Sequence, residues 1–198
     1  MPEIEKRYLE STEVRADADE ENKRKITGYA LKFGTWSEDL GGFVETIESS
    51  ALNETDMSDV RALFDHDPQK IIGRTKSGTL KLWKDEVGLR FECELPNTSY
   101  ARDLYENILN GNVDQCSFGF MLEKDGDELR YDKDAGLYRR TLRKIKRLMD
   151  VSVVTFPAYR DTDVAPALRS IRSVEDEKKR VLEKEKLKIE LELLSERK

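Results

Sequence analysis

The sequence predicts a mainly β domain with a few helices, an α+β fold, and three observations carry that expectation. Short apolar runs recur between turns containing glycine, proline and asparagine from Lys25 onward. Several of these runs alternate with period two. In VGLRFECEL, Leu89, Phe91, Cys93 and Leu95 fall on one face and Arg90, Glu92 and Glu94 on the other. Helical spacing is confined to a few stretches, the longest of them at the C-terminus.

In chain order, residues 1–24 form a charged N-terminal segment in which Tyr8, Leu9 and Val14 suit an edge strand and RADADEENKRK an exposed turn. Residues 25–168 carry the strand pattern. ITGYALKFGTW reads as a strand with a bend, Gly41-Gly42 as a turn and FVETI as a strand. A short helix in SSALNETD follows, capped by Ser49 or Ser50. VRALFDHD runs as a strand into a loop, because Pro68 holds Asp67 out of the helical region. KIIGRT, GTLKLWKD and VGLRFECEL are three further strands. Asn97 or Thr98 caps a helix that bears Tyr100, Leu104, Ile108 and Leu109 and stops at Asn110-Gly111. In VDQCSFGFML, alternation puts Cys116, Phe118, Phe120 and Leu122 on one face, and Ser117 and Gly119 on the other. Gly119 would leave the backbone open to a close-lying substrate chain. After a polar hairpin, one long strand from Tyr138 to Tyr159 starts with a basic face and turns apolar at Asp150. Residues 169–198 form a charged helical tail, either a solvated helix or a partner-binding one.

A chain of 198 residues with 38% charged and 37% hydrophobic residues fits one domain with appendages. Its net charge of −6 argues against a general nucleic-acid binder. No segment approaches the roughly 20 apolar residues of a membrane span. Two cysteines, Cys93 and Cys116, and one histidine cannot complete a four-ligand zinc site without carboxylates, so neither a metal nor a cofactor is expected.

The residues with chemistry to offer are few. His66 is the one histidine, in LFDHDP, and is either an ordinary surface residue of a polar turn or a proton carrier. Asp150 lies where its strand becomes apolar, and an unpaired carboxylate there would cost several kcal/mol, so it calls for a partner such as an imidazole. Ser117 would need such an imidazole as base to become a nucleophile. The order His–Ser–Asp matches none of the familiar hydrolase orders and there is no GxSxG elbow, so spacing does not establish a triad. Cys116 is the competing nucleophile, although it shares a face with Phe118 and Phe120. Asp65 and Asp67 compete with Asp150, although neighbours of His66 in a loop point apart.

Four blocks in order, GYALKF at 28–33, LFDHDP with IIGRT at 63–75, QCSFGF at 115–120 and DVSVVTFPAY at 150–159, resemble those of the caudoviral prohead proteases, relatives of herpesvirus assemblin. The resemblance implies a closed or partly closed antiparallel β-barrel surrounded by short helices. It implies a serine endopeptidase with Ser117 as nucleophile, His66 as general base and Asp150 orienting it. Backbone N–H groups of Ala158, Tyr159 and Arg160 are the expected oxyanion donors, since Pro157 has none. The implied partners are the phage major capsid protein precursor and its scaffold segment, cut inside the assembling prohead in the host cytoplasm. Cleavage of the chain's own tail is expected as well, and self-association is an open option. The other reading is a non-catalytic scaffolding module on the same fold that binds acidic segments through the basic strand from Arg139 to Arg147.

Overall fold

The computed structural model describes residues 4–8, 14–18, 23–156 and 165–195. The chain divides into two units, residues 1–164 and 165–198. In the first, the described strands make three sheets. The largest has five strands in the order β1 (Glu5–Tyr8), β9 (Gln115–Leu122), β12 (Ile145–Val154), β5 (Arg61–Phe64) and β6 (Asp67–Arg74). A four-stranded sheet runs β2 (Val14–Ala18), β3 (Arg24–Lys32), β8 (Gly88–Glu94), β7 (Leu80–Lys84). A three-stranded sheet runs β10 (Asp127–Asp132), β11 (Leu137–Leu142), β4 (Phe43–Ile47). Helix α1 (Ser99–Leu109) ends where Gly111, at φ 69°, takes the left-handed conformation that stops a helix. The second unit is helix α2 (Ala165–Ser195), charged along its length and exposing Val181, Leu182, Leu187 and Ile189.

The mainly β, α+β architecture is as expected, but the barrel is not formed. Closure needs every strand paired on both sides with one consistent stagger. Here each sheet is an open series of strands, and two pairings, β12 with β5 and β11 with β4, are parallel. The expected long strand from Tyr138 is two strands. The N–H groups of Arg143 and Lys144 both donate to the Gly126 carbonyl, each at 2.8 Å, and this break sends β11 and β12 into different sheets. The N-terminal edge strand is likewise two. β1 joins the five-stranded sheet, and β2, which takes the start of the expected exposed turn, joins the four-stranded one. The short helix after Glu48 is a 3₁₀ turn, Ser49–Leu52, without a side-chain cap.

The apolar faces meet in one core. Leu89, Phe91 and Cys93 of β8 are buried there, as are Cys116, Phe118 and Phe120 of β9, whose phenyl rings stack at 5.4 Å. β12 is partly exposed at Lys146, Arg147 and Met149 and buried throughout from Asp150 to Val154. That continuous burial reflects a central strand with neighbours on both sides.

The basic face expected on β11 and β12 is neutralised from within. Arg139 pairs with Asp132, Arg143 with Glu128 and Glu48, and Arg147 with Asp56. Arg140 is buried. It donates to Asp127 (2.6 Å), to Glu45 (2.7 Å) and, through both terminal nitrogens, to Glu5 of β1 (2.6 and 2.9 Å). Arg7 of β1 closes the network onto Glu45 at 2.8 Å and Glu5 at 2.5 Å. Burial alone would raise the Glu5 carboxyl. The Arg140 and Arg7 guanidinium groups outweigh it and hold Glu5 below its ordinary value of 4.5.

Removing one member of such a network leaves an uncompensated buried charge. Arg140→Ala is expected to lower stability by about 3–5 kcal/mol in urea unfolding, whereas Arg130→Ala, on an exposed side chain, should move the midpoint little. Because the Glu5 carboxyl is depressed, its contribution is full above its unfolded value and is lost as pH falls through the folded one. Between pH 5 and pH 3 the unfolding midpoint should therefore drop further in the wild type than in Glu5→Gln.

Candidate active site

Two strands and one turn position the site. β9 and β12 are antiparallel, with Ser117 opposite Ser152 and Gly119 opposite Asp150. Directly opposed residues share a face of the sheet. Alternation puts Ser117 with Gly119, and Asp150 with Ser152, so four consecutive site-facing positions form one patch. β5 lies parallel to β12 on its other side, with Phe64 opposite Val153. The chain then reverses into β6 through two residues, Asp65 (φ 52°) and His66 (φ 54°). A hairpin of this length wants positive φ at both central residues, normally met by Asn-Gly or Gly-Gly. Asp and His tolerate that region better than most residues, at about 1–3 kcal/mol each. Asp65 helps hold the turn there. Its N–H donates to the Val153 carbonyl (2.9 Å), and its carboxylate accepts from the Thr155 N–H (2.7 Å) and hydroxyl (2.9 Å).

The turn carries the His66 ring onto the patch. Nδ1 lies 2.7 Å from Asp150 Oδ1 and 3.0 Å from Ser152 Oγ, and Nε2 lies 2.6 Å from Ser117 Oγ. Ser152 donates to the same Asp150 oxygen at 2.6 Å. An ionised carboxylate only accepts, so Nδ1 carries the proton, and the Nε2 lone pair is left for Ser117. Ser117 and Ser152 are completely buried and Asp150 is 7% exposed. Ser117 Oγ has a second partner, the Arg7 main-chain carbonyl of β1, at 2.9 Å.

Gly119 does not open a path for substrate. A Cβ there would collide with Asp150 Oδ2, so the missing side chain makes room for the carboxylate. Asp65 faces Thr155, and Asp67 accepts from the Gln69 N–H and pairs with Lys70, so neither carboxylate is on the imidazole. Cys116 is in the core among phenyl rings. Burial pushes its thiol up, and Cys93 is raised to about 12 by burial and by Glu94 and Glu92. Ala158, Tyr159 and Arg160 lie outside the described residues. Sequence reasoning missed Ser152, although DVSVV places it two residues after Asp150 on the same face of a strand. It also missed the cover over Ser117, because pairing between residues 8 and 117 leaves no local signal.

A hydroxyl, an imidazole and a carboxylate joined in one hydrogen-bonded line can activate an oxygen nucleophile. Residues 10–177 match the family described as caudovirus prohead serine protease. The chain belongs to that family. It is a serine peptidase of phage prohead maturation. The prohead protease of Enterobacteria phage HK97 is 31% identical over 180 residues, which cover 88% of this chain and 73% of that protein. The structure of the bacteriophage T4 capsid assembly protease matches with a TM-score of 0.44 at 13% identity, over 76% of this chain and 98% of that one. Among the described residues, no helix is long and apolar enough to cross a membrane.

Gly119→Ala should lower peptidase activity at least tenfold with the circular dichroism spectrum unchanged, because Asp150 must swing away from His66. Iodoacetamide should leave both thiols of the folded peptidase unmodified and alkylate both in urea, as read by intact mass. Activity should persist after that treatment.

Proposed function

We propose that Ser117, His66 and Asp150 are the catalytic residues of this peptidase, and that it cuts extended segments of the phage capsid precursor and its scaffold, and its own chain. The continuous line Asp150–His66–Ser117, at 2.7 and 2.6 Å, carries the proposal. Ser117 Oγ attacks the peptide carbonyl carbon while its proton passes to His66 Nε2. The tetrahedral intermediate collapses as His66 returns that proton to the leaving amine, giving a new N-terminus and an acyl ester on Ser117. Water, deprotonated by His66, then hydrolyses the ester and frees the hydroxyl. Asp150 stabilises the imidazolium and fixes the tautomer. Ser152 is a positioning residue, a second acceptor for Nδ1–H and a donor to Asp150. Inside a prohead, in the host cytoplasm, substrate segments would be at very high local concentration, so weak intrinsic binding suffices. Self-association belongs to the same proposal. The internally paired arginines of β11 and β12 speak against a scaffolding module that binds through a free basic face.

Co-expression with the matching capsid precursor tests this, with intact mass read on every chain. Wild type should trim the precursor and itself, and Ser117→Ala neither, with both chains folded. Trimming by Ser117→Ala would overturn the assignment. Asp150→Asn should reduce kcat by about 10⁴-fold, because the wrong tautomer then faces Ser117. Ser152→Ala should cost less, about tenfold, with KM little changed.

A further inference from the structure

β1 lies where a segment being cut would have to lie. It is four residues long, the edge strand of its sheet, and antiparallel to β9 with Tyr8 opposite Ser117 and Glu5 opposite Phe120. Ser117 is completely buried, and its hydroxyl donates to the Arg7 carbonyl at 2.9 Å. A hydroxyl has one proton to donate. The Arg7 carbonyl at 2.9 Å and His66 Nε2 at 2.6 Å are both within reach of that proton, so β1 competes with the base for it. Attack on any other carbonyl requires β1 to leave the β9 edge.

The far side of β1 defines what can replace it. Glu5 and Arg7 share the face of Phe118 and Phe120, opposite the Ser117 side chain, and there they meet Arg140, itself bonded to Asp127, and Glu45. Without β1, the remaining cluster holds one guanidinium against two carboxylates. Arg140 loses its bidentate partner, and Glu45 Oε1 loses the Arg7 contact at 2.8 Å. These are desolvated positions of opposite sign, two residues apart along a strand. A strand that adds to a sheet edge gains affinity through its main chain and selectivity through alternate side chains. A buried position of fixed charge rejects the wrong sign.

We infer that the β9 edge held by β1 is an exchange site for an extended peptide that carries an acidic residue and, two positions later, a basic one. This rests on Ser117 being the nucleophile and adds the kind of segment that reaches it. Glu45 and Arg140 are its specificity determinants, and β1 is the resident occupant that such a segment displaces.

The test uses the full chain, reading the labelling of Ser117 by diisopropyl fluorophosphate from intact mass. In Glu5→Arg with Arg7→Glu, like charges face Arg140 and Glu45, β1 is loosened, and labelling should be at least tenfold faster than in the wild type. The peptide Glu-Ile-Glu-Lys-Arg-Tyr-Leu, this chain's residues 3–9, should slow that labelling at least tenfold and bind by fluorescence anisotropy. The charge-swapped peptide Glu-Ile-Arg-Lys-Glu-Tyr-Leu should bind at least tenfold more weakly. Arg7→Gln, a milder change, should show the same order at smaller size and serves if the double variant does not fold. Equal labelling of wild type and variants, or equal binding of the two peptides, would overturn the inference and leave the serine peptidase intact. Peptide binding with the predicted selectivity but no labelling of Ser117 in any variant would overturn the Ser117 assignment instead.

Discussion

The site depends on the register of β9 against β12. Opposing Ser117 to Ser152 and Gly119 to Asp150 puts one hydroxyl, one carboxylate and a second hydroxyl within reach of a single ring. A slip of β9 by one residue would turn Ser117 to the opposite face, away from Asp150 and Ser152. The register is held by the core, since the same slip would bring Cys116, Phe118 and Phe120 out of it. Packing on one side of the sheet thus fixes chemistry on the other. The two irregularities in this ladder, between Ile145 and Arg147 and between Leu148 and Asp150, both fall before the carboxylate, so the pairing from Asp150 to Val154 is regular.

Much of this was legible in the sequence, for physical reasons that can be named. Period-two alternation marked the buried faces of β8 and β9, and Asp150 stood out as a carboxylate at the start of an apolar stretch that needed a partner. His66 met that need, with Nδ1 at 2.7 Å. What was not legible is non-local. Nothing around Arg143 and Lys144 announces that one Gly126 carbonyl will accept from both and split a long strand in two. Nothing around Arg140 separates it from Arg139, yet one is buried among three carboxylates and the other is half exposed. The role of Gly119 was misassigned because a missing side chain makes room on demand, and only the fold says for what.

Charge is used in two different ways. On the outer strands, exposed pairs such as Lys81 with Glu92 contribute little to stability. The cluster of Glu5, Arg7, Glu45 and Arg140 is of another kind, because its members are out of water and each depends on the others. It ties β1 to the three-stranded sheet through Glu45 and Arg140, while β1's main chain belongs to the five-stranded one. β1 therefore joins the two sheets as well as covering Ser117.

The Asp65-His66 turn sets the stability of this hairpin against its use. Both residues sit where glycine or asparagine would rest more comfortably, and the bonds of Asp65 to Val153 and Thr155 offset part of that cost. Selection for stability alone would drift toward Asn-Gly at these two positions, tightening the hairpin and removing the imidazole. If His66 is the base proposed above, the most stable form of this loop would be an inactive enzyme, and the strain at Asp65 and His66 is what the imidazole's position costs.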